Sequence, residues 1–179
     1  TVERATELAN QMLALAKVEQ LRQQGEAPVV DCEQVLRAVA LDMAPLIAER
    51  QLDFDLQAGP APVRAHEWSL RELVRNLLHN AIKHTPPGGL LAIVLQRGED
   101  HALLQVRDGG PGISADQRQR LFQPFAAGDP RSGSGLGLAI CLEIVRAAGG
   151  QIVLDNRVEH GRVVGLDASV RLPLADNQP

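Results

Sequence analysis

The sequence predicts an α/β (α+β) domain, a two-layer sandwich in which helices cover one face of a mixed, mainly antiparallel sheet, preceded by one long helix. Three observations support this fold class. Helical and extended patterns alternate from residue 29 onward, two extended segments flank a short charged turn, and residues 1–24 keep a helical periodicity throughout. Alternating elements that include hairpins are typical of a mixed sheet with helices on one side.

The first helix is predicted over residues 1–24, because apolar residues recur there at intervals of three and four. These residues are Leu8, Met12, Leu15 and Val18. A stripe this narrow suits packing against other helices, although a surface helix folded onto the main domain would show the same pattern. Residues 25–28 end the helix and form a short linker.

The following segments contain three strands and two helices. Asp31 fits the N-cap position of the first helix, and Pro45 is expected to kink it. The Pro-Pro-Gly-Gly run at 86–89 closes the second helix. In chain order, the predicted elements are a strand at 29–30, a helix at 31–50, strands at 52–56 and 62–65, and a helix at 67–84.

The remaining chain begins with a hairpin, whose strands at 90–96 and 102–106 flank a charged turn. A glycine-rich loop follows, and then a short helix at 114–121, where Ser114 and Gln117 have the spacing of a capping box. A helix at 137–148 and two strands, near Ile152 and Val170, complete the predicted fold.

Composition and charge narrow the functional classes. The 179 residues carry a net charge of -4 and no block of Lys or Arg, so no nucleic-acid partner is expected. Cys32 and Cys141 match no metal-binding or redox spacing. Lys17 and Lys83 are the only lysines available to bind phosphate. Apolar runs stay below the about 18 residues of a membrane span, and the start at Thr1 suggests a soluble piece of a longer protein.

The predicted helix at 67–84 carries a polar stripe on one face. Asn76 and Asn80 are one turn apart, and Lys83 and His84 follow within the next turn. An amide oxygen suits a magnesium ion that already holds phosphates, and an ammonium one turn away can reach a phosphate. A plain solvated face would also carry polar residues, so both interpretations stay open. The opposite face suits burial through Leu70, Leu73, Leu77 and Ala81.

The loop after the hairpin places Asp108 directly behind a strand and before several glycines. Its carboxylate can accept a hydrogen bond from an exocyclic amine, and Gly110 and Gly112 let the backbone approach a flat ring. Residues 110–115 also fit the G-x-G-x-x-A dinucleotide fingerprint. That alternative is weaker, because the following helix is short and no acidic residue ends a second strand about 20 residues later.

A second glycine-rich segment, at 133–138, opens directly into a predicted helix. Exposed backbone N–H groups at a helix N-terminus favour phosphate, whereas a flexible linker would seldom run into an amphipathic helix. Phe122 and Phe125 lie between the two glycine segments. They fit apolar anchors of a flap over the site, and a simple core contact is equally consistent.

These four segments together, at 76–85, 108–113, 121–125 and 133–138, resemble in order the N, G1, F and G2 boxes of sensor histidine kinases. These kinases belong to a wider ATPase superfamily, which also includes type II topoisomerases and mismatch-repair ATPases and has the Bergerat ATP-binding fold. The resemblance runs from about residue 29 to 174, and residues 1–24 look like the second helix of the family's dimerisation hairpin.

The resemblance implies a role for each box in binding Mg-ATP. Asn80 would ligate Mg²⁺, Asn76 and Lys83 would help hold the triphosphate and take part in catalysis, and Asp108 would bind the adenine amine. Gly110 and Gly112 would line the base pocket. The glycines at 133, 135 and 137 would form the hinge and phosphate end of an ATP lid. Further nucleotide contacts are implied for His84, Ile113, Phe122, Arg131, Gly133, Ser134, Gly135, Leu136, Gly137 and Leu138.

The sequence departs from the family pattern at several positions. His84 stands where a tyrosine is frequent, and His79 where an acidic residue is common. No arginine follows Phe125 closely, which leaves Arg131 as the only basic residue of the lid. The family's phosphoacceptor histidine lies on the first hairpin helix, before residue 1, and the His-Glu pair at 66–67 is a poor substitute because it falls on the catalytic domain.

The expected organisation is a hairpin helix with linker at 1–27 and an ATP-binding catalytic domain at 28–179. The resemblance implies transfer of the γ-phosphoryl group of Mg-ATP to a histidine of the protein's own dimerisation domain, for relay to a response regulator. The full-length protein would be a homodimeric bacterial inner-membrane sensor with this domain in the cytoplasm. The chain alone should bind ATP or ADP without autophosphorylation. A regulatory nucleotide-binding module without phosphotransfer is the alternative.

Overall fold

Helices and strands alternate in the predicted order in the computed structural model, which describes residues 1–124 and 136–175. The elements are α1 (Val2–Arg22), β1 (Val29–Asp31), α2 (Cys32–Glu49), β2 (Asp53–Ala58), β3 (Pro62–Arg64), α3 (Glu67–His84), β4 (Leu90–Arg97), β5 (His101–Asp108), α4 (Ala115–Arg120), α5 (Gly137–Ala147), β6 (Gln151–Glu159) and β7 (Arg162–Pro173).

The main sheet has five strands in the order β2-β4-β5-β7-β6. Strands β2 and β4 are parallel, whereas the β4–β5, β5–β7 and β6–β7 pairs are antiparallel. Strands β1 and β3 form a separate antiparallel pair. The predicted mixed, mainly antiparallel sheet is therefore confirmed.

Alternating burial along β5 defines the face of the sheet that packs against helices. Ala102, Leu104 and Val106 are buried, while the residues between them are only partly covered. Helix α3 contacts β5, helix α5 contacts β6, and α2 packs against α3. Since side chains alternate between the two faces of a strand, the buried set on β5 forms one apolar layer of the core.

Two local features confirm the predicted helix starts. The side chain of Asp31 accepts a hydrogen bond from the backbone N–H of Glu33 at the start of α2. Ser114 and Gln117 form the reciprocal hydrogen bonds of a capping box at the start of α4. Pro45 lies inside α2.

The last two strands, which the sequence placed near Ile152 and Val170, have nine and twelve residues. They form a hairpin, β6–β7, with a tight turn at His160 and Gly161, which have φ angles of 50° and 76°. Two consecutive positive φ angles are characteristic of a tight turn whose twist matches the flanking strands. The pairing register shifts between Arg157 and Val158, where Val164 is an extra residue in β7.

Helix α1 packs against α5 through part of its apolar stripe. Val18 is buried, and Leu8 and Leu15 pack against the core, whereas Met12 remains 54% exposed. The ammonium of Lys17 lies 4.6 Å from the centre of the Trp68 ring, a cation–π contact to α3. The predicted stripe thus partly covers the main domain, and part of it stays exposed. None of the helices in the described residues is long and apolar enough to span a membrane.

Candidate functional site

Helix α3 has the two faces that its sequence predicted. Leu70, Leu73, Leu77 and Ala81 are all buried. Asn76, Asn80 and Lys83 are partly exposed on the polar side, and His84 is exposed at its C-terminal end. Because the apolar face is fixed in the core, the polar side chains keep a defined direction relative to the sheet.

The two asparagines of α3 have different hydrogen-bond environments. Asn76 donates from Nδ2 to the backbone oxygen of Glu72 at 2.8 Å, which leaves its Oδ1 available. None of the described residues forms a hydrogen bond with the side chain of Asn80, which is partly buried. A partly buried amide oxygen of this kind is a suitable ligand for a hard cation such as Mg²⁺.

The N-terminus of α5 lies against Asn76. A Cβ atom placed on Gly137 would be 3.1 Å from Oδ1 of Asn76, so the glycine permits this close approach. The N-cap residue of α5 is Leu136, which is buried and whose own side chain forms no capping hydrogen bond. The start of a helix offers backbone N–H groups and a positive dipole end, which suit phosphate.

Asp108 is only 4% exposed at the end of β5. Its Oδ1 accepts hydrogen bonds from the backbone N–H groups of Gly110, at 2.8 Å, and Leu166, at 3.1 Å. No described residue donates a hydrogen bond to its Oδ2. One carboxylate oxygen is therefore held by the backbone, while the other can accept a hydrogen bond from a ligand amine.

Burial raises the pKa of Asp108 above its usual value, because desolvation penalises the carboxylate. The two backbone hydrogen bonds oppose this shift, as do His84 and Arg157. The pKa of His84 is lowered, chiefly by the burial of part of its ring and then by the charge of Lys83, whereas Asp108 acts in the opposite direction. The carboxylate and the end of α3 are thus close enough to influence each other's ionisation.

Gly110 joins the Asp108 loop to the end of α3. A Cβ atom at this position would lie 2.6 Å from the backbone oxygen of His84, too close for any other residue without a shift. Gly112 has a φ of 74°, a conformation that favours glycine. The loop therefore lies against the C-terminal end of α3.

The remaining predicted contacts divide into two groups. Ile113, Phe122 and Leu138 are partly buried and pack against the hydrophobic core. The predicted lid residues Arg131, Gly133, Ser134 and Gly135 lie outside the described residues, and so does Phe125.

A cleft of about 420 Å³ separates α1 from the polar face of α3. Asn76 and His79 line it from α3, and Gln11 and Lys17 from α1. His79, which departs from the family pattern, therefore faces this cleft. Of the polar stripe, Asn76 is therefore accessible from the side toward α1.

Sequence reasoning missed two residues of β6 that contact the Asp108 loop. Asn156 hydrogen-bonds to the backbone of Ile113, and Arg157 donates to the backbone oxygen of Asp108 at 2.7 Å. The one local signal for this hairpin was the His-Gly pair at 160–161, since histidine tolerates positive φ better than most residues and glycine freely.

Comparison with known proteins identifies the family. Residues 65–176 match the histidine kinase-, DNA gyrase B-, and HSP90-like ATPases. The probable sensor histidine kinase TcrY of Mycobacterium tuberculosis is 35% identical over an alignment of 182 positions, which covers 99% of this chain and 37% of TcrY. The sensor protein kinase PmrB of Pseudomonas aeruginosa is 34% identical over an alignment of 181 positions, which covers 97% of this chain and 36% of PmrB. The chain spans little more than a third of these relatives.

Solved structures give the same assignment. A mycobacterial sensor histidine kinase, MprB, matches with a TM-score of 0.73 and 31% identity, covering 83% of this chain and 97% of the MprB chain. Full-length ShkA in complex with AMPPNP matches with a TM-score of 0.77 and 28% identity, covering 94% of this chain and 35% of the ShkA chain. The chain therefore belongs to the histidine kinase-, DNA gyrase B- and HSP90-like ATPase family, and it carries the catalytic domain of the sensor histidine kinases.

Proposed function

We propose that this domain binds Mg-ATP and, in the longer protein, transfers its γ-phosphoryl group to a histidine of a dimerisation domain. The observation that carries the proposal is the environment of Asp108, where one oxygen is held by two backbone N–H groups and the other is left for a ligand. This carboxylate adjoins the polar end of α3 through Gly110. A base-binding group and phosphate-binding groups are thus combined in one site.

Adenine recognition is assigned to Asp108 and its loop. Oδ2 of Asp108 would accept a hydrogen bond from the exocyclic amine, and the glycine backbone at 110 and 112 would let the ring lie close. A base with a carbonyl oxygen at the same position offers no donor, so it would leave Oδ2 of this buried carboxylate without a partner. The proposal therefore includes a preference for adenine.

Triphosphate binding is assigned to α3 and to the start of α5. The backbone N–H groups near Gly137, the Nζ of Lys83 and the second N–H of the Asn76 amide would be suitable donors to phosphate oxygens. Bound Mg²⁺ would offset the negative charge on the phosphates, and the free amide oxygen of Asn80 fits its preference for oxygen ligands. In phosphoryl transfer, such groups act mainly by positioning the reactants and offsetting charge.

The transfer itself would break the bond between the γ-phosphorus and the β–γ bridging oxygen. A bond forms between the γ-phosphorus and a ring nitrogen of the acceptor histidine, and ADP leaves. An acidic residue next to that histidine takes the nitrogen's proton, as the family pattern implies. The role of this chain is to hold ATP for attack from a histidine that a partner helix presents.

The proposed organisation assigns residues 1–27 to the second hairpin helix and linker, and residues 28–179 to the catalytic domain. The partly exposed apolar stripe of α1, with Met12 54% exposed, supports a further helical contact there. In the full-length homodimer, a response regulator would receive the phosphoryl group. The relatives are sensor kinases, which supports a position of this domain on the cytoplasmic side of a bacterial inner membrane.

The test of phosphotransfer mixes this chain with the separately produced dimerisation hairpin of the parent protein and γ-labelled ATP. We expect acid-labile, base-stable label on the hairpin, as a phosphohistidine gives. A hairpin whose acceptor histidine is replaced by glutamine serves as the control and should stay unlabelled. Measurable ATP binding without any label on the intact hairpin would support a regulatory nucleotide-binding module instead.

A further inference from the structure

The hairpin β6–β7 holds the loop of residues 108–113, hereafter the base loop, at both of its ends. At the first end, the guanidinium Nη2 of Arg157 donates to the backbone oxygen of Asp108 at 2.7 Å. The backbone N–H of Leu166 donates to Oδ1 of the same aspartate at 3.1 Å. Both the backbone and the side chain of Asp108 are therefore fixed by the hairpin.

Arg157 is itself held in place by an ion pair. Its Nη1 pairs with Oδ1 of Asp167 on β7, and the same carboxylate oxygen lies 3.4 Å from Nε of Arg107 on β5. The Arg157 side chain is only 14% exposed, so its pair with Asp167 is largely shielded from solvent, whereas Arg107 is 41% exposed. Charge-assisted hydrogen bonds of this kind are stronger than neutral ones.

Asn156 holds the second end of the base loop. Its Oδ1 accepts from the backbone N–H of Ile113 at 2.8 Å, and its Nδ2 donates to the backbone oxygen of the same residue at 2.8 Å. One side-chain amide thus satisfies both backbone groups of Ile113, as a neighbouring strand would. The missing side chain of Gly112 leaves the space that Oδ1 of Asn156 approaches.

The base loop needs such external support because its own sequence is flexible. It contains glycines at 109, 110 and 112, and glycine has the largest conformational freedom of any residue. A carboxylate distinguishes an amine from a carbonyl oxygen only if the base is held at a fixed distance and angle. Anchoring only the Asp108 end would leave the end at Ile113, beside the base, free to move.

We propose that Asn156 is a positioning residue that sets the preference for adenine by clamping the backbone of Ile113. This inference rests on the proposed ATP-binding function, and it extends that function to a residue outside the four sequence boxes. Asn156 acts through the base loop and not by touching the reacting phosphates. Its loss should therefore weaken discrimination between bases more than it weakens binding of the triphosphate.

The test compares calorimetric Kd values for ATP and for inosine triphosphate, which has a carbonyl oxygen in place of the amine. Asn156→Ala should lower ATP affinity about 10-fold, the scale of losing two neutral hydrogen bonds, and inosine triphosphate affinity much less. Asn156→Asp keeps the acceptor for the Ile113 N–H but loses the donor to the Ile113 oxygen. Its preference for ATP over inosine triphosphate should lie between that of Asn156→Ala and that of the unaltered chain. Gln151→Ala, on an exposed position of the same strand, is the matched control.

Hydrogen exchange at Ile113 gives a readout that needs no nucleotide. In Asn156→Ala the Ile113 amide should exchange faster, while the amide of Leu104 in β5 keeps its protection. Equal weakening of ATP and inosine triphosphate, or an unchanged ratio of the two Kd values, would overturn the proposal. If Asn156→Ala does not fold, the ratio of the Kd values for ATP and inosine triphosphate is measured in Asn156→Asp, and an unchanged ratio there would overturn the proposal. An unaltered chain that binds no ATP would overturn the proposed function as well.

Discussion

Replacing Asp108 by asparagine is expected to weaken ATP binding about 10- to 100-fold, the scale of a hydrogen bond to a charged group. Asparagine can keep the Oδ1 acceptor for the backbone N–H groups of Gly110 and Leu166. Its Nδ2 would then stand where Oδ2 of the aspartate is, so a donor would face the donor amine of adenine. Calorimetric titration with ATP measures the change.

The same substitution should not lower the stability of the fold at neutral pH. Burial raises the native pKa of Asp108 above the ordinary value of 3.8, so the native state binds this proton more readily than the unfolded state does. The ionised side chain therefore costs stability above its native pKa, and that cost disappears as the pH falls below the ordinary value. Asparagine avoids the cost, and the benefit should be largest near neutral pH.

Asp155→Asn, on the exposed side of β6, is the matched control for Asp108→Asn. It should leave both ATP affinity and the thermal midpoint nearly unchanged. Thermal unfolding at pH 7 and at pH 3.5 shows whether any loss of ATP affinity comes from a less stable fold or from the lost contact with adenine. Unchanged ATP affinity in Asp108→Asn, or a weaker affinity that follows a large drop in the thermal midpoint, would contradict the assignment to adenine recognition.

Replacing Asn80 by alanine is expected to abolish the gain in ATP affinity that Mg²⁺ provides. The Asn80 amide has no hydrogen-bond partner among residues 1–124 and 136–175, so the substitution breaks no described contact of this side chain. Alanine is also the better helix former, by a few tenths of a kcal/mol. Weaker ATP binding would therefore come from the loss of the Asn80 oxygen as a Mg²⁺ ligand, and not from a less stable helix α3.

The measurement is the Kd for ATP with excess Mg²⁺ and with a chelator, in Asn80→Ala and in the unaltered chain. We expect the two values to converge in the variant and to differ about 10-fold or more in the unaltered chain, the scale of losing a metal-held contact. Arg71→Ala, on the same helix and away from Asn80, is the control and should keep the Mg²⁺ dependence. A full Mg²⁺ gain in Asn80→Ala would remove Asn80 from the metal site.

Much of this site could be predicted because its main residues belong to local patterns. The period of helix α3 placed Leu73 and Leu77 in the core and the asparagines on the opposite face. A strand followed by glycines placed Asp108 at a sheet end. In each case, the signal lies within one element, where the spacing of residues determines which side chains share a face.

The contacts of Asn156 and Arg157 could not be predicted in the same way. Asn156 meets Ile113 across 43 residues, and Arg157 meets Asp108 across 49. These contacts depend on the pairing of β7 with both β5 and β6, and on the irregularity after Arg157. Strand register fixes which side chains face each other, and a single sequence specifies it weakly over such separations.

The packing of α1 shows a similar limit. Its stripe of apolar residues predicted helix packing but left two partners open, another helix or the main domain. Val18 packs on the main domain while Met12 stays exposed, so one part of the stripe is buried and another part faces solvent. Periodicity reports that a face is apolar, and the tertiary fold decides how much of it is covered.

The most direct test of the central claim is a calorimetric titration of the unaltered chain with ATP in the presence of Mg²⁺, and in parallel with NAD. The account predicts saturable binding of one ATP per chain, and no binding of NAD at the same concentrations. NAD binding without ATP binding would restore the dinucleotide interpretation of the glycines after Asp108 and contradict the account.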